Sequence, residues 1–274
     1  TVEAYLNDES IEIERIKDTK NDKLVQIKLV FTMSAFTKCF RPVSSYPTDF
    51  ADLVVWLRAD SGVTFDIPTK QVSAWADGSG NNNDVAQATK ANQPLRNGYG
   101  GQNDKSYFSF DGNGDYLVSD SNSPITTDFT IFEVSKMSEI TGNVFGWRAG
   151  SASIQVGINA DGSFSTKVSD GTNALLTSTA IVNLGENHIG ILKKHNKRID
   201  SEYYDLTNTI TKTDSDGSFD NAFRFNTTQF NIGSFGISEY LSGQVQEVIV
   251  YNRALSSNEI ADVRGYLNLK YKIY

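Results

Sequence analysis

The chain carries one cysteine, Cys39, in 274 residues. No intrachain disulfide can form, so a small cross-linked scaffold is excluded and packing must hold the fold. Cys39 sits between Lys38 and Phe40 after an apolar run and reads as a structural residue rather than a catalytic thiol. Histidine is nearly absent, with only His188 and His195. Neither stands at the HxxxH spacing of a zinc helix or in register with a serine or cysteine motif, which leaves zinc and nucleophile chemistry without support. Positive charge is also short: the net charge is −8 and the pI about 4.9. Lys193, Lys194, Lys197 and Arg198 form only short runs that read as solvated turns, so no nucleic-acid partner and no anionic membrane surface is expected. No apolar run approaches the roughly 20 residues of a membrane helix. The opening residues are charged from Glu3 onward and lack a secretory leader's apolar core, which sets the expectation of a chain made in the cytosol. Export by an unusual route or release by lysis stays open.

What the sequence does have is aromatic residues and turn formers. There are 12 Tyr, 16 Phe and 3 Trp, with 21 Gly against 5 Pro. Short alternating or apolar runs recur, among them "DLVVWLRA", "SYFSFDG", "DFTIFEVSKM", "ASIQVGINA", "HIGILKKH", "RIDSEYYDL" and "GQVQEVIVYN". Asp-Gly, Gly-Asp and Asn-Gly signals separate many of them. Strands at this spacing predict an all-β antiparallel sandwich or barrel rather than a parallel α/β sheet. One helix is expected near the end, with Ser256 as N-cap and Glu259 closing a capping box. Ile260, Val263, Leu267 and Leu269 supply its apolar stripe.

The first fifty residues differ in texture. "SIEIERIK" places Ile11 and Ile13 on one face, and "KLVQIKLVFTM" does the same for Val25, Ile27, Leu29 and Phe31. Two such runs around a polar turn predict a β-hairpin, which is marginal alone and needs a body or a partner to pack on. Residues 41–50, with two prolines and several serines, read as a linker. The expected division is an attachment segment over residues 1–50 and a sandwich over residues 51–274.

Two polar loops are candidate cation sites. "VSAWADGSGNNNDVAQATKANQP" follows Trp75 with Asp77, Ser79, Gly80, Asn81, Asn83 and Asp84. A tight turn, a calcium loop and one wall of a glycan site all fit this composition. Glycine accepts positive φ, and Asp and Asn bond nearby amides, which favours the turn. Calcium needs several oxygen ligands, which Asp77, Asn81, Asp84 and backbone carbonyls offer without the spacing of an EF-hand. "FDGNGDYL" raises the same choice, with Phe110 and Tyr116 as strand anchors and Asp111 and Asp115 at a hairpin tip.

Taken in order, "LVVWLRADSGV", the Trp75 loop, "SFDGNGDYL" and "GQVQEVIVYNRALSSNEIADVRGYLNLKY" resemble the concanavalin A-like lectin/glucanase superfamily, in its laminin-G-like jelly-roll branch. The resemblance spans residues 52–271. It implies a two-sheet antiparallel jelly roll, to which the reading above adds the short C-terminal helix and the N-terminal hairpin. It also implies glycan binding, often with calcium. On that basis Trp147, Tyr203, Tyr204 and Tyr240 are the aromatic platforms to consider if exposed. Glucanases of this superfamily carry a Glu-x-Asp-x-x-Glu run, and none is present here. The runs around Glu247 and around Asp200 and Glu202 do not replace it, and a carboxylate pair is what glycoside hydrolysis needs. The expectation is therefore a non-enzymatic bacteriophage virion protein of the tail, fibre or capsid-decoration kind. Residues 1–50 would dock it, as a homo-oligomer, on other virion proteins, with the jelly roll facing host-surface glycans. A cellular or secreted adhesin domain and a polysaccharide-degrading enzyme are the alternatives.

Overall fold

A computed structural model describes residues 12–17, 24–30, 46–140, 142–181, 183–220 and 222–274. Cys39, the hairpin turn and residues 31–45 lie outside the described residues. Contacts divide the chain into two units, Thr1–Val43 and Ser44–Tyr274. In the first, β1 (Glu12–Lys17) pairs antiparallel with β2 (Leu24–Val30), with Arg15 opposite Ile27. The expected hairpin is present.

The second unit is the expected sandwich. With strands numbered along the chain, one sheet holds β3 (Leu53–Arg58), β7 (Leu95–Asn97), β8 (Tyr107–Asp111), β10 (Phe129–Met137), β15 (Asn187–His195), β16 (Arg198–Tyr204), β17 (Thr209–Ser215) and β19 (Ser242–Tyr251). The other holds β4 (Val63–Phe65), β5 (Val72–Trp75), β6 (Val85–Ala86), β9 (Leu117–Ser119), β11 (Gly142–Ala149), β12 (Ala152–Ile158), β13 (Ser163–Asp170), β14 (Ala174–Ile181) and β18 (Phe230–Ile232). Pairing is antiparallel throughout, and β10 joins β15 and β19 over nearly its whole length. Leu57, Trp75, Phe108, Phe145, Trp147, Ile154, Leu192 and Val248 belong to the core between the sheets.

A second core covers the outer face of the eight-stranded sheet. There Trp56, Phe132, Val134, Ile189, Ile249 and Tyr251 meet Ile260, Val263, Tyr266, Leu267 and Tyr271 of helix α1 (Ser257–Tyr271). Strand β10 is therefore buried on both faces, so that Thr130, Glu133 and Ser135 are buried along with its apolar residues. The capping box forms as expected: the Ser256 side chain accepts from the Glu259 amide, and the Glu259 carboxylate accepts from the Ser256 amide at 2.8 Å. Arg253 grips the same carboxylate through both terminal nitrogens. Leu269, assigned to the apolar stripe, is instead 56% exposed. Two residues beyond Leu267 lie about 200° around a helix, so Tyr266 and Tyr271 fill the buried face instead.

The end of the proline- and serine-containing stretch is packed on this unit rather than spanning a gap. Pro47–Asp49 forms a 3-10 turn, and the buried Tyr251 hydroxyl donates to the Pro47 carbonyl at 2.8 Å. The rings of Tyr46 and Tyr266 lie 5.7 Å apart. Among the described residues α1 is the only α-helix, and it lies on the eight-stranded sheet. Over the outer face of the nine-stranded sheet runs a loop instead, residues 233–241. Its approach depends on Gly146 of β11, where a Cβ would stand 2.3 Å from the Ser234 carbonyl oxygen.

Candidate sugar-binding groove

The loop after Trp75 is a lacing device for the sandwich. The Trp75 indole is fully buried and donates to the Arg58 carbonyl at 2.8 Å. Asp77 accepts from the amides of Trp56, Ser79 and Asn83 and from the Ser79 hydroxyl. Asn81 and Asn83 donate to the carbonyls of Leu53 and Val54. Asp84 accepts from the Asp77 amide at 2.7 Å. The polar residues thus satisfy the backbone at the start of β3, which would otherwise lose its partners as the chain turns away. Both oxygens of Asp77 are engaged by protein donors.

At the second hairpin tip, Asp115 accepts from the Asp111 amide at 3.1 Å, and Asp111 accepts from the Asn113 amide at 2.8 Å. Burial, then the neighbouring Asp111 charge, pushes the Asp115 carboxyl up to about 6. Among the described residues no group of three or more His, Cys, Asp or Glu side chains is arranged to hold a metal ion.

Three of the four aromatic platforms read from sequence are buried and present no ring to solvent. Trp147 and Tyr203 are each 1% exposed and Tyr204 is 6% exposed. Trp147 belongs to the inter-sheet core and packs edge-on against Phe225, and its indole donates to the Thr228 carbonyl. Tyr203 packs between Phe164 and His188. Tyr204 donates to Glu202, with the Arg264 guanidinium over its ring, and burial raises its hydroxyl well above the usual phenol value. In "EYY" two adjacent rings point to opposite faces of the strand, and here both faces are covered. Tyr240, in contrast, is only half-buried.

Tyr240 stands at an open groove of about 350 Å³ lined by Tyr116, Val118, Arg148, Thr228, Gln229, Asn231, Gly236 and Ile237. Tyr240 donates its hydroxyl to the Ile237 carbonyl at 2.7 Å, and its ring lies 6.2 Å from that of Tyr116 at an angle of 35°. The floor is the outer face of the nine-stranded sheet. Val118 of β9 is paired with Asn231 of β18, which is paired in turn with Gly146 of β11. Asn231 donates to the Ser234 hydroxyl and the Gly236 carbonyl, and so fixes the loop above it. Gln229 donates to the Ser119 carbonyl. Each amide spends its NH2 group on the protein, and no protein donor reaches Oδ1 of Asn231 or Oε1 of Gln229 among the described residues. Ile237 is 78% exposed at the rim. Aromatic and apolar surface beside free amide oxygens and a guanidinium suits a ligand with CH faces and hydroxyls.

Two carboxylates inside the fold are used differently. Glu247 is fully buried and accepts from Trp56 Nε1, Lys270 Nζ and the hydroxyls of Tyr266 and Tyr271, all within 3.0 Å. Glu133, equally buried, stands 3.0 Å from His188 Nε2 in the inter-sheet core.

No protein-family model matches the chain, and no curated protein matches it. Solved structures do. A GH54 α-L-arabinofuranosidase soaked with a cyclic sulfate inhibitor matches at 13% identity and a TM-score of 0.57, over 84% of this chain and 61% of that one. Domain 4 of AbnA, a GH43 extracellular arabinanase from Geobacillus stearothermophilus in complex with arabinotriose, matches at 11% identity and a TM-score of 0.54. That match covers 77% of this chain and 98% of the domain. The sialidase of Trypanosoma rangeli, in complex with sialic acid, matches at 18% identity and a TM-score of 0.54, over 81% of this chain and 34% of the sialidase. The chain thus spans less than two thirds of the arabinofuranosidase and about one third of the sialidase.

At these identities the likeness establishes the fold. It also corrects the expectations built on the laminin-G-like resemblance. The similar structures are glycoside hydrolases or parts of them, so the reading as a non-enzymatic bacteriophage virion protein is overturned. The missing Glu-x-Asp-x-x-Glu run had excluded one way of placing catalytic acids on a sandwich strand. It could not exclude a sandwich that belongs to a glycan-degrading protein by another arrangement. Of the groove residues, Tyr240 was legible as a platform and Tyr116 as a strand anchor. Gln229, Asn231 and Ile237 carried no motif; only the alternation of β18, which turns Asn231 outward between Phe230 and Ile232, marked one of them.

Proposed function

We propose that this chain is the glycan-recognising sandwich of a glycan-degrading enzyme, and that the groove over β9, β18 and β11 is its sugar site. The observation that carries the reading is the pairing of Tyr116 and Tyr240 beside the free amide oxygens of Gln229 and Asn231. The tyrosine faces stack on the apolar side of a sugar ring, and the amides accept from its hydroxyls. The glycoside-hydrolase setting of the similar folds supports the assignment, above all the sandwich domain in complex with arabinotriose, which this chain matches over almost that domain's full length.

The test is calorimetric titration with a panel of neutral and acidic oligosaccharides, arabinotriose among them. At least one should bind, and Tyr240→Ala should weaken it by about tenfold while the fold is retained. Reducing-end release from the matching polysaccharide is the accompanying readout of the enzyme. A panel in which nothing binds, or binding untouched by Tyr240→Ala and Tyr116→Ala, would contradict the groove assignment.

A further inference from the structure

Resting on that reading of the groove, we infer that its ligand is an acidic glycan whose carboxylate is received by Arg148. Arg148 is the only charged residue among those lining the groove. Its Nε donates to the Gly150 carbonyl at 3.3 Å, and its guanidinium carbon lies 5.4 Å from the Phe235 ring centre. These contacts use one edge and one face of the group. Among the described residues Arg148 makes no ion pair, and its two terminal nitrogens have no protein acceptor. Arg198, Arg253 and Arg264, in contrast, each face a carboxylate.

An arginine held at its base over an aromatic ring, with its fork open, is prepared for a planar anion. The fork matches the two oxygens of a carboxylate, and the ring contact reduces the side-chain freedom lost on binding. The backbone below is fixed as well, since the Thr228 hydroxyl donates to the Arg148 carbonyl at 2.8 Å and the adjacent Trp147 indole donates to the Thr228 carbonyl. No lining residue is acidic, so no internal anion competes for the guanidinium. This matters in a chain of net charge −8, whose overall field disfavours an anionic ligand. A neutral sugar would leave the only charge in the groove unused.

Hexuronic acids and sialic acids share the carboxylate, and the test separates them. The chain is titrated with a galacturonate oligomer, with sialyllactose, and with the carboxyl-reduced form of each. The expected result is that one acidic sugar binds at least about tenfold more tightly than its reduced form. Arg148→Ala should remove that difference, weakening the acidic form far more than the reduced one. Arg148→Lys should recover only part of it, because an ammonium cannot offer the bidentate fork. Tyr240→Ala should weaken acidic and reduced forms alike. Equal binding of acidic and reduced sugars, or a preference that survives Arg148→Ala, would overturn the inference while leaving the groove assignment standing. Absence of binding by any sugar, acidic or neutral, would overturn both.

Discussion

Two carboxylates show how little a residue's letter says about its task. Glu247 directly precedes the apolar run Val248-Ile249-Val250, and the sequence offers no reason for it. The structure supplies four donors from two elements: the indole of β3, and the two tyrosine hydroxyls and the Lys270 ammonium of α1. Lys270 also reaches Asp60 at 3.1 Å. The buried charge thereby ties the helix to the sheet, and it raises the Tyr266 and Tyr271 hydroxyls above the usual phenol value in addition to the effect of burial. Replacing Glu247 with Gln keeps the shape but leaves donors without acceptors, so it should cost about 2–4 kcal/mol in chemical denaturation. An unchanged midpoint would show that the contact contributes nothing net. Asp115 gives a signed pH prediction. Its native carboxyl titrates near 6, against the ordinary 3.8, because burial disfavours the anion. The native state therefore holds an extra proton between these values, and stability from this group falls as pH rises from about 4 to about 6. Asp115→Asn should remove that slope and raise stability at pH 7 by about 1–2 kcal/mol after allowance for partial hydration. A slope that persists in thermal melts across this range would assign it to another group.

At the scale of elements, helix α1 was the most legible piece. Its capping box and its buried Ile260, Val263 and Leu267 follow from residue type and spacing alone. Ser256→Ala should cost about 1 kcal/mol by removing the acceptor for the Glu259 amide, read from a denaturant midpoint with unchanged slope. Strand β17 was the least legible. "TITKTDS" is polar at almost every position, because this edge strand has little buried face to write into its sequence. Its identity comes from pairing with β16, where Ser201 stands opposite Lys212. The loop over the nine-stranded sheet was equally hidden. It is fixed by Asn231, by Ser234 and by the missing side chain of Gly146, contacts that join residues up to 90 positions apart. Gly146→Ala should push the loop outward, since the added Cβ would meet the Ser234 carbonyl at 2.3 Å. Weakened glycan binding with cooperative unfolding retained is the expected outcome; full affinity in the variant would show that the loop's position is not needed.

For the molecule as a whole, the antiparallel sandwich and the closing helix could be read because alternation and turn chemistry are local signals. The function could not, because a two-sheet sandwich serves many roles and its site lies on outward positions that no local rule singles out. Trp147 shows the limit: the resemblance made it a candidate aromatic platform, yet the ring fills the core. The unit Ser44–Tyr274 contains both cores, including the Tyr46 and Pro47 contacts to Tyr266 and Tyr251. A chain beginning at Ser44 should melt cooperatively, whereas one beginning at Thr48 would lose those contacts and should melt earlier. Equal melting of the two would remove residues 44–47 from the sandwich. The central claim is that the free face of the nine-stranded sheet binds a glycan. Its most direct test is a titration of the isotopically labelled chain with the best-binding oligosaccharide of the panel, followed by amide chemical shifts. The account predicts that the shifts concentrate at Tyr116, Arg148, Asn231 and Tyr240 and saturate together. Shifts centred on another surface, such as the one around Lys193 and Glu259, or no saturable shift at all, would contradict it.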